Sequence, residues 1–326
     1  MIEKIMKVVK SSNKKRGKNI TVGAVVGLLL SCTAVMGADN YLWIKNDGEI
    51  KFSTDNSTPA NIENPYGENT WDGADYVNNI ALNSTSTDYG LKLEGDLGNV
   101  NFTNNGLIGS TGNSTSYGIY NGRNNKIGNI INNGSIIGMS IGSSNGSGIN
   151  SWGTIEDIIN SGLIIGENTG TYSGYGIDSW GTMGNVKNVG LIVGIGNGEG
   201  RGISIGGTGK AQSISNDGFI IGISKADVGL GISTNIINNG VISSTSDISS
   251  RPFYIYGKIS NIKNNGLVIG SSTEIGTSYG IYANGGGFGG AIRITNMGSI
   301  MGITLGNDAA GINNDNSTRM YIANNG

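Results

Sequence analysis

The phrase NNGSIIG occupies residues 132–138 and returns along the chain with small changes. Close copies begin at residues 104, 160, 188, 216, 264 and 296, and shorter versions begin at 238 and 324. The intervals between the first asparagines of successive copies are 28, 28, 28, 28, 22, 26, 32 and 28 residues. A period of this size is the signature of stacked repeats, in which each unit buries its apolar side against its neighbours.

Each period contains two further apolar pieces. One is YGIYN at 117, SGINSWGT at 147 and YGIDSWGT at 175; the other is IGNIINN at 127 and IEDIINS at 155. These pieces are too short for amphipathic helices and are separated by glycine and asparagine, so they fit strands joined by tight turns. The sequence therefore predicts an all-β fold, a right-handed parallel β-helix (β-solenoid) of about nine coils with a repeat of about 28 residues.

The phrase predicts one corner and one strand of each coil. Its isoleucines would form aliphatic stacks in the interior, because copies in successive coils lie ~4.8 Å apart. Its first asparagine would join a ladder of hydrogen-bonded amides. Its glycine would occupy a corner where a positive φ or the close approach of the next coil excludes a Cβ. The predicted ladder consists of Asn132, Asn160, Asn188, Asn216, Asn238, Asn264 and Asn296, with Gly134, Gly162, Gly190, Gly218, Gly240, Gly266 and Gly298.

The first 37 residues have the layout of an extended signal peptide. Seven of the 21 lysines and arginines lie within the first 18 positions, and the apolar run ITVGAVVGLLLSCTAVMG follows from residue 20. Small side chains at its end predict cleavage between Gly37 and Ala38. Two alternatives stay open, which are lipidation at Cys32 and an uncleaved membrane anchor.

The remaining chain is acidic and lacks cysteine. Without residues 1–37 it has 14 basic and 22 acidic residues, a net charge of −8, so nucleic acid is not an expected partner. Residues 38–88 contain Pro59, Pro65 and Trp71 and are predicted to form an N-terminal cap or irregular first coils. Residues 89–326 are predicted to form the repeats and to end in mid-coil.

The motifs that suggest chemistry do not support catalysis. GSSNG at 142–146 and GISIG at 202–206 match G-x-S-x-G, but the chain has no histidine to serve as the base. GGGFGG at 285–290 matches a dinucleotide-binding pattern, but the strand-like AIRIT follows it where a helix is needed. We expect no catalytic residue, no cofactor and no metal site, and so no enzyme.

One column of aligned residues follows the GI dipeptide of each coil. It contains a single carboxylate, and the sequence shows no second acid beside it of the kind that polysaccharide cleavage requires. The column is predicted to consist of Tyr120, Asn150, Asp178, Ser204, Ser233, Tyr282 and Asn313.

The best surface candidates for binding are Trp152 and Trp180. They lie 28 residues apart in two copies of SWGT, so their rings are expected to stack on an outside corner. Exposed aromatic rings bind sugars or partner proteins, whereas a purely structural ladder of rings would shield the backbone and stiffen the stack.

The signal layout and the repeat style together resemble the passengers of Gram-negative type V autotransporters, of the large adhesin-like kind. The resemblance implies export by the Sec machinery, passage through an outer-membrane β-barrel translocator, and display at the cell surface or release. It also implies binding to a glycan or protein on a host cell or a partner bacterium. It supplies no site residues.

The barrel pattern of alternating segments is not in these 326 residues, and the last residues, NNG, begin another copy of the phrase. We therefore expect an N-terminal fragment or a truncated reading frame, or secretion with a separate barrel. The functional alternatives to an adhesin or structural stalk are a secreted two-partner-type exoprotein and a polysaccharide-active β-helix enzyme.

Overall fold

The computed structural model describes residues 41–45, 50–53, 75–79, 81–85, 88–206, 209–224, 227–231, 235–255, 261–272, 276–284, 291–304, 308–315 and 319–325. The chain divides into two compact units, Met1–Gly37 and Ala38–Gly326, and all described residues belong to the second. The predicted signal peptide, its Gly37–Ala38 cleavage site and Cys32 lie outside the described residues, as do Pro59, Pro65 and Trp71.

The described residues form strands and no helix, and the strands stack in parallel sheets as a β-solenoid. The predicted all-β solenoid with a spacing of about 28 residues is confirmed. About seven turns keep this spacing, so the number of coils differs slightly from the nine expected. Within this part of the chain no helix is long and apolar enough to cross a membrane.

Three sheets run along the stack, and each takes one strand from nearly every coil. The ladder sheet contains β3 (Tyr76–Asn78), β6 (Phe102–Asn104), β9 (Lys126–Ile127), β10 (Ile130–Asn132), β13 (Thr154–Ile155), β14 (Ile158–Asn160), β17 (Thr182–Asn188), β20 (Lys210–Asn216), β23 (Asn235–Asn238), β26 (Asn261–Asn264), β29 (Ala291–Asn296) and β32 (Arg319–Asn324).

The aliphatic sheet contains the strands that follow the corner glycine. These are β4 (Ala81–Ser84), β7 (Leu107–Gly112), β11 (Ser135–Ser140), β15 (Leu163–Asn168), β18 (Leu191–Ile195), β21 (Phe219–Ser224), β24 (Val241–Ser246), β27 (Leu267–Ser272) and β30 (Ser299–Ile303).

The aromatic sheet contains the GI strands and the first hairpin. These are β1 (Tyr41–Lys45), β2 (Ile50–Ser53), β5 (Tyr89–Glu94), β8 (Ser116–Asn121), β12 (Gly146–Ser151), β16 (Gly174–Ser179), β19 (Gly200–Ile205), β22 (Asp227–Gly231), β25 (Ser249–Ile255), β28 (Thr277–Asn284) and β31 (Ala309–Asp315).

Identical side chains lie above one another because the parallel register is kept from coil to coil. In the aliphatic sheet Ile136 pairs with Ile108 on one side and with Ile164 on the other. The inward isoleucines of all three sheets form one core cluster. Full burial of one such side chain stabilises the fold by roughly 1.5–3 kcal/mol, so the stack depends on many equivalent small contributions.

Strands within residues 38–88 already pair with the stack. Strand β1 pairs in parallel with β5, and β2 pairs antiparallel with β1 on its other side. Strands β3 and β4 already belong to the ladder and aliphatic sheets. The sequence VNNIAL at residues 77–82 is a copy of the phrase with isoleucine in place of the corner glycine, which is why its repeat character is hard to recognise.

Candidate functional site

The first asparagines of the phrase form an unbroken ladder inside the solenoid. The Nδ2 of Asn132 donates to Oδ1 of Asn160 at 2.8 Å, and the same bond joins Asn160 to Asn188. Each Nδ2 also donates to main-chain oxygens, as Asn132 does to Leu163 at 3.0 Å. The chain of amide bonds links Asn78, Asn104, Asn132, Asn160, Asn188, Asn216, Asn238, Asn264, Asn296 and Asn324.

Close approach of the neighbouring coil explains the corner glycines. A Cβ at Gly134 would clash with the carbonyl oxygen of Gly106, and the same clash recurs between Gly162 and Gly134. Among the described glycines a positive φ occurs at Gly95 and Gly98, neither of which is a corner glycine. The other explanation considered from the sequence, a positive φ at the corner, is therefore wrong.

A second ladder runs along the outside of the same corner, and the sequence analysis missed it. It uses the second residue of the phrase: Asn133 Nδ2 donates to Asn105 Oδ1 at 2.9 Å, and Ser161 Oγ donates to Asn133 Oδ1 at 2.8 Å. This outer ladder is interrupted by Val189, which is 62% exposed, and by Met297. Its signal in the sequence is the doubled asparagine of NNG.

Aromatic and polar side chains cover the outer face of the aromatic sheet. At its first coils Tyr117 stacks on Tyr120 at 5.6 Å between ring centroids, and Tyr89 lies 4.9 Å from Tyr120. Lys92 Nζ lies 4.0 Å from the ring centroid of Trp43. Rings and cations on this face therefore contact one another from coil to coil.

The predicted column of residues that follow the GI dipeptides is wrong between Ser204 and Tyr282. Ser204 pairs with Gly231, whose partner in the next coil is Tyr254, and Tyr254 pairs with Tyr282. Ser233 lies outside the described residues. The register shifts between Gly229 and Gly231, because RPFYIY replaces the GI phrase in the next coil.

Asp178 is the centre of a polar network on this face. Its Oδ2 accepts from Asn150 Nδ2 at 3.1 Å and from Trp180 Nε1 at 3.4 Å. Asp178 is only 5% exposed, and this desolvation raises its pKa to about 6. The hydrogen bonds from Trp180 and the positive charge of Arg201 oppose that shift in pKa.

A second carboxylate, Glu199, directly precedes the following strand, β19. Glu199 Oε1 is 2.8 Å from Arg201 Nη2, and Glu199 Oε2 accepts from the Tyr175 hydroxyl at 3.0 Å. Burial raises the pKa of Tyr175, and the neighbouring Glu199 adds to this effect. Arg201 and its partner Glu199 therefore bring a charged pair from the adjacent coil into the network around Asp178.

Several buried polar atoms in this network have no hydrogen-bond partner among the described residues. They are Ser147 Oγ, Asn150 Oδ1 and Arg201 Nε. Ser147 is fully buried between Tyr117 and Tyr175 in the register of the sheet. A buried polar atom without a partner costs about 1–3 kcal/mol, and such atoms also occur on other strands, as at Ser116, Asn121 and Ser278.

The two tryptophans lie at the edge of the network. Their centroids are 5.2 Å apart and their planes differ by 9°, so the rings are stacked. The other face of Trp152 carries the Arg123 guanidinium at 4.7 Å. The other face of Trp180 lies toward Gly206, where a Cβ would come within 3.2 Å of the ring, and Trp180 is 41% exposed.

The remaining motifs lie in strands and turns. GSSNG bridges β11 and β12, and GISIG lies at the end of β19, so neither forms the turn between a strand and a helix that G-x-S-x-G requires. GGGFGG lies outside the described residues, and the AIRIT that follows it belongs to strand β29. The described part of the chain has no group of three metal-ligating side chains.

Comparison with protein-family models, with curated proteins and with solved structures gives no match to this chain.

Proposed function

We propose that the chain is the exported passenger of a Gram-negative type V autotransporter and acts as a non-catalytic adhesin or structural stalk at the cell surface. Its partners would be the Sec machinery, an outer-membrane translocator, and a glycan or protein on a host cell or another bacterium. The observation that carries the proposal is the contrast between a constant interior and a varied exterior. The inner ladder joins ten asparagines, while the outer face of the aromatic sheet changes at each coil.

A constant interior with a varied exterior is suited to a scaffold that displays a binding surface. Identical coils add length without a new core, because each contacts its neighbours alone. The outer face then presents rings, an ion pair and a carboxylate in fixed positions, as in binding sites supported by rigid elements.

Surface labelling of intact bacteria that produce the full chain tests the proposal. We expect an antibody against the solenoid to bind intact cells, and beads coated with the purified chain to attach to epithelial cells or to other bacteria. Antibody signal found solely inside the cells would contradict export. Signal found in the medium and not on cells would favour the secreted two-partner-type exoprotein.

The polysaccharide-active enzyme is the second candidate, and Asp178 is the observation that favours it. A carboxyl with a pKa raised to about 6 has the property of a general acid, and Glu199 directly precedes the next strand of the sheet. Release of reducing ends from an acidic polysaccharide by the purified chain, abolished by Asp178→Asn, would replace the non-catalytic proposal.

A further inference from the structure

Gly206 lies close to the exposed Trp180 indole and places no side chain over it. Trp152, Trp180 and Gly206 occupy the same position in three successive coils, because Ser151, Ser179 and Ile205 pair in register just before them. A Cβ at Gly206 would lie 3.2–3.4 Å from three atoms of the Trp180 ring. Since glycine has none, this ring face is free of side-chain cover from its own column.

The two tryptophans therefore differ in what they offer to a ligand. Trp152 is covered on one face by Trp180 and on the other by the Arg123 guanidinium. Trp180 has one face on Trp152 and the other toward Gly206, and it is 41% exposed. The two were expected from the sequence to share one role, but the geometry makes Trp180 the more accessible ring.

Polar groups of both kinds line the approach to this ring. Asp178 lies beside the indole nitrogen of Trp180, and Arg201 Nη1 is 3.5 Å from Ser204 Oγ in the next coil. Glu199 and Arg201 keep 38% and 21% of their side-chain surface exposed. Donors and acceptors therefore alternate next to an aromatic face.

We propose that Trp180 and this polar edge bind one pyranose ring of a neutral oligosaccharide. A pyranose has an apolar C–H face that packs on an indole and a rim of hydroxyls that both donate and accept. Small-ligand sites combine an apolar or aromatic wall with a few placed polar groups in the same way. Two carboxylates against one guanidinium disfavour an anionic sugar at this position.

The network beside Trp180 contains a buried carboxyl and a buried amide oxygen without a partner. Asn150 Oδ1 is buried without a partner and belongs to the side chain that bonds Asp178. The buried charge of Asp178 destabilises the fold, and such groups cluster at functional sites. A purely structural ladder of rings requires neither of them.

Calorimetric titration of the purified full chain with maltohexaose, cellohexaose, chitohexaose and lacto-N-tetraose tests the site. We expect at least one of them to bind and to change tryptophan fluorescence. Gly206→Leu places a side chain against the Trp180 ring without removing any polar group. Trp180→Leu removes the ring but keeps apolar packing on Trp152. Each should weaken binding at least about tenfold, in line with the loss of one well-packed aromatic contact.

Tyr279→Ala is the matched control, because it removes an outward ring of the same sheet that stacks on Tyr282 at 5.5 Å. It should change binding less than about twofold. Circular dichroism must show that all three variants keep their β structure. Binding of none of the four sugars, equal binding by Gly206→Leu, or tighter binding of a sialylated oligosaccharide than of every neutral one would overturn the assignment.

The inference rests on the proposed function, because both take the outer face of the aromatic sheet as the binding surface. Its test uses the purified chain and does not require that the chain be displayed on cells. If surface attachment persists in Gly206→Leu while no sugar binds, the site is wrong and the adhesin proposal stands. Competition by the bound oligosaccharide against attachment to epithelial cells and to other bacteria identifies which surface carries the glycan.

Discussion

The first and second residues of the phrase lie side by side at one corner, yet they differ in burial and in how strictly they repeat. Asn132 faces the interior, is fully buried and belongs to the ladder that runs unbroken from Asn78 to Asn324. Asn133 faces solvent, and its ladder is broken by Val189. The two ladders have the same spacing and the same chemistry, so burial is the variable that separates them.

The difference explains why some positions repeat strictly along the chain and others do not. An inner amide that is lost leaves buried partners unsatisfied, at about 1–3 kcal/mol for each group. An outer amide that is lost is replaced by water. Interior positions therefore keep the same residue from coil to coil. Outward positions can differ from the repeat and are available for function. Asp178, Trp180 and Arg201 are such positions.

The largest effect is expected from the aliphatic interior. Ile164→Ala should lower the free energy of unfolding by about 2–5 kcal/mol, because Ile164 is fully buried in the core cluster. Ile159→Ala is the control, since Ile159 is an outward, partly exposed residue of the neighbouring ladder strand. It should cost less than about 1 kcal/mol in urea unfolding. Equal losses would mean that inside and outside are wrongly assigned.

A smaller effect, of opposite sign, is expected at Asp178. Its pKa is about 6 in the fold against an ordinary value of 3.8, so folding favours the protonated form. The stability is therefore highest below pH 4 and falls as the pH rises toward 6. Asp178→Asn should raise the free energy of unfolding at pH 7.5 by roughly 1–3 kcal/mol.

The pH dependence provides the control for this variant. The difference between Asp178→Asn and the unmodified chain should shrink as the pH falls from 7.5 to 4, because the carboxyl then becomes neutral in both states. Urea unfolding at the two pH values measures it. A gain that is the same at both values would show that desolvation of the charge is not its source.

The smallest effect is expected where the outer ladder is broken. Val189→Asn restores an amide between Ser161 and Asp217, but the position is exposed, so the change in unfolding free energy should stay within about 0.5 kcal/mol. Thermal unfolding measures the shift. A gain above 1 kcal/mol would mean that the outer ladder stabilises the stack as the inner one does.

The interior could be predicted from the sequence because burial forces residues such as Asn160 and Ile164 to recur at a measurable period. In the candidate site Trp180 could be predicted because SWGT occurs twice, but its polar partners could not, because they come from different coils and do not repeat. Asp178 and Arg201 are 23 residues apart, and their proximity depends on a coil that is two residues shorter between Gly174 and Gly200. The role of Gly206 likewise cannot be predicted without knowing that it lies beside Trp180 of the neighbouring coil.

The paired substitutions Asn132→Ala and Asn133→Ala test the central claim most directly, because they change adjacent asparagines of one phrase. Urea unfolding should show a loss of about 2 kcal/mol for Asn132→Ala, which leaves Asn160 Oδ1 without its donor, and a loss within about 0.5 kcal/mol for Asn133→Ala. Equal losses from the two substitutions would contradict the claim that the repeated phrase records the interior of the solenoid.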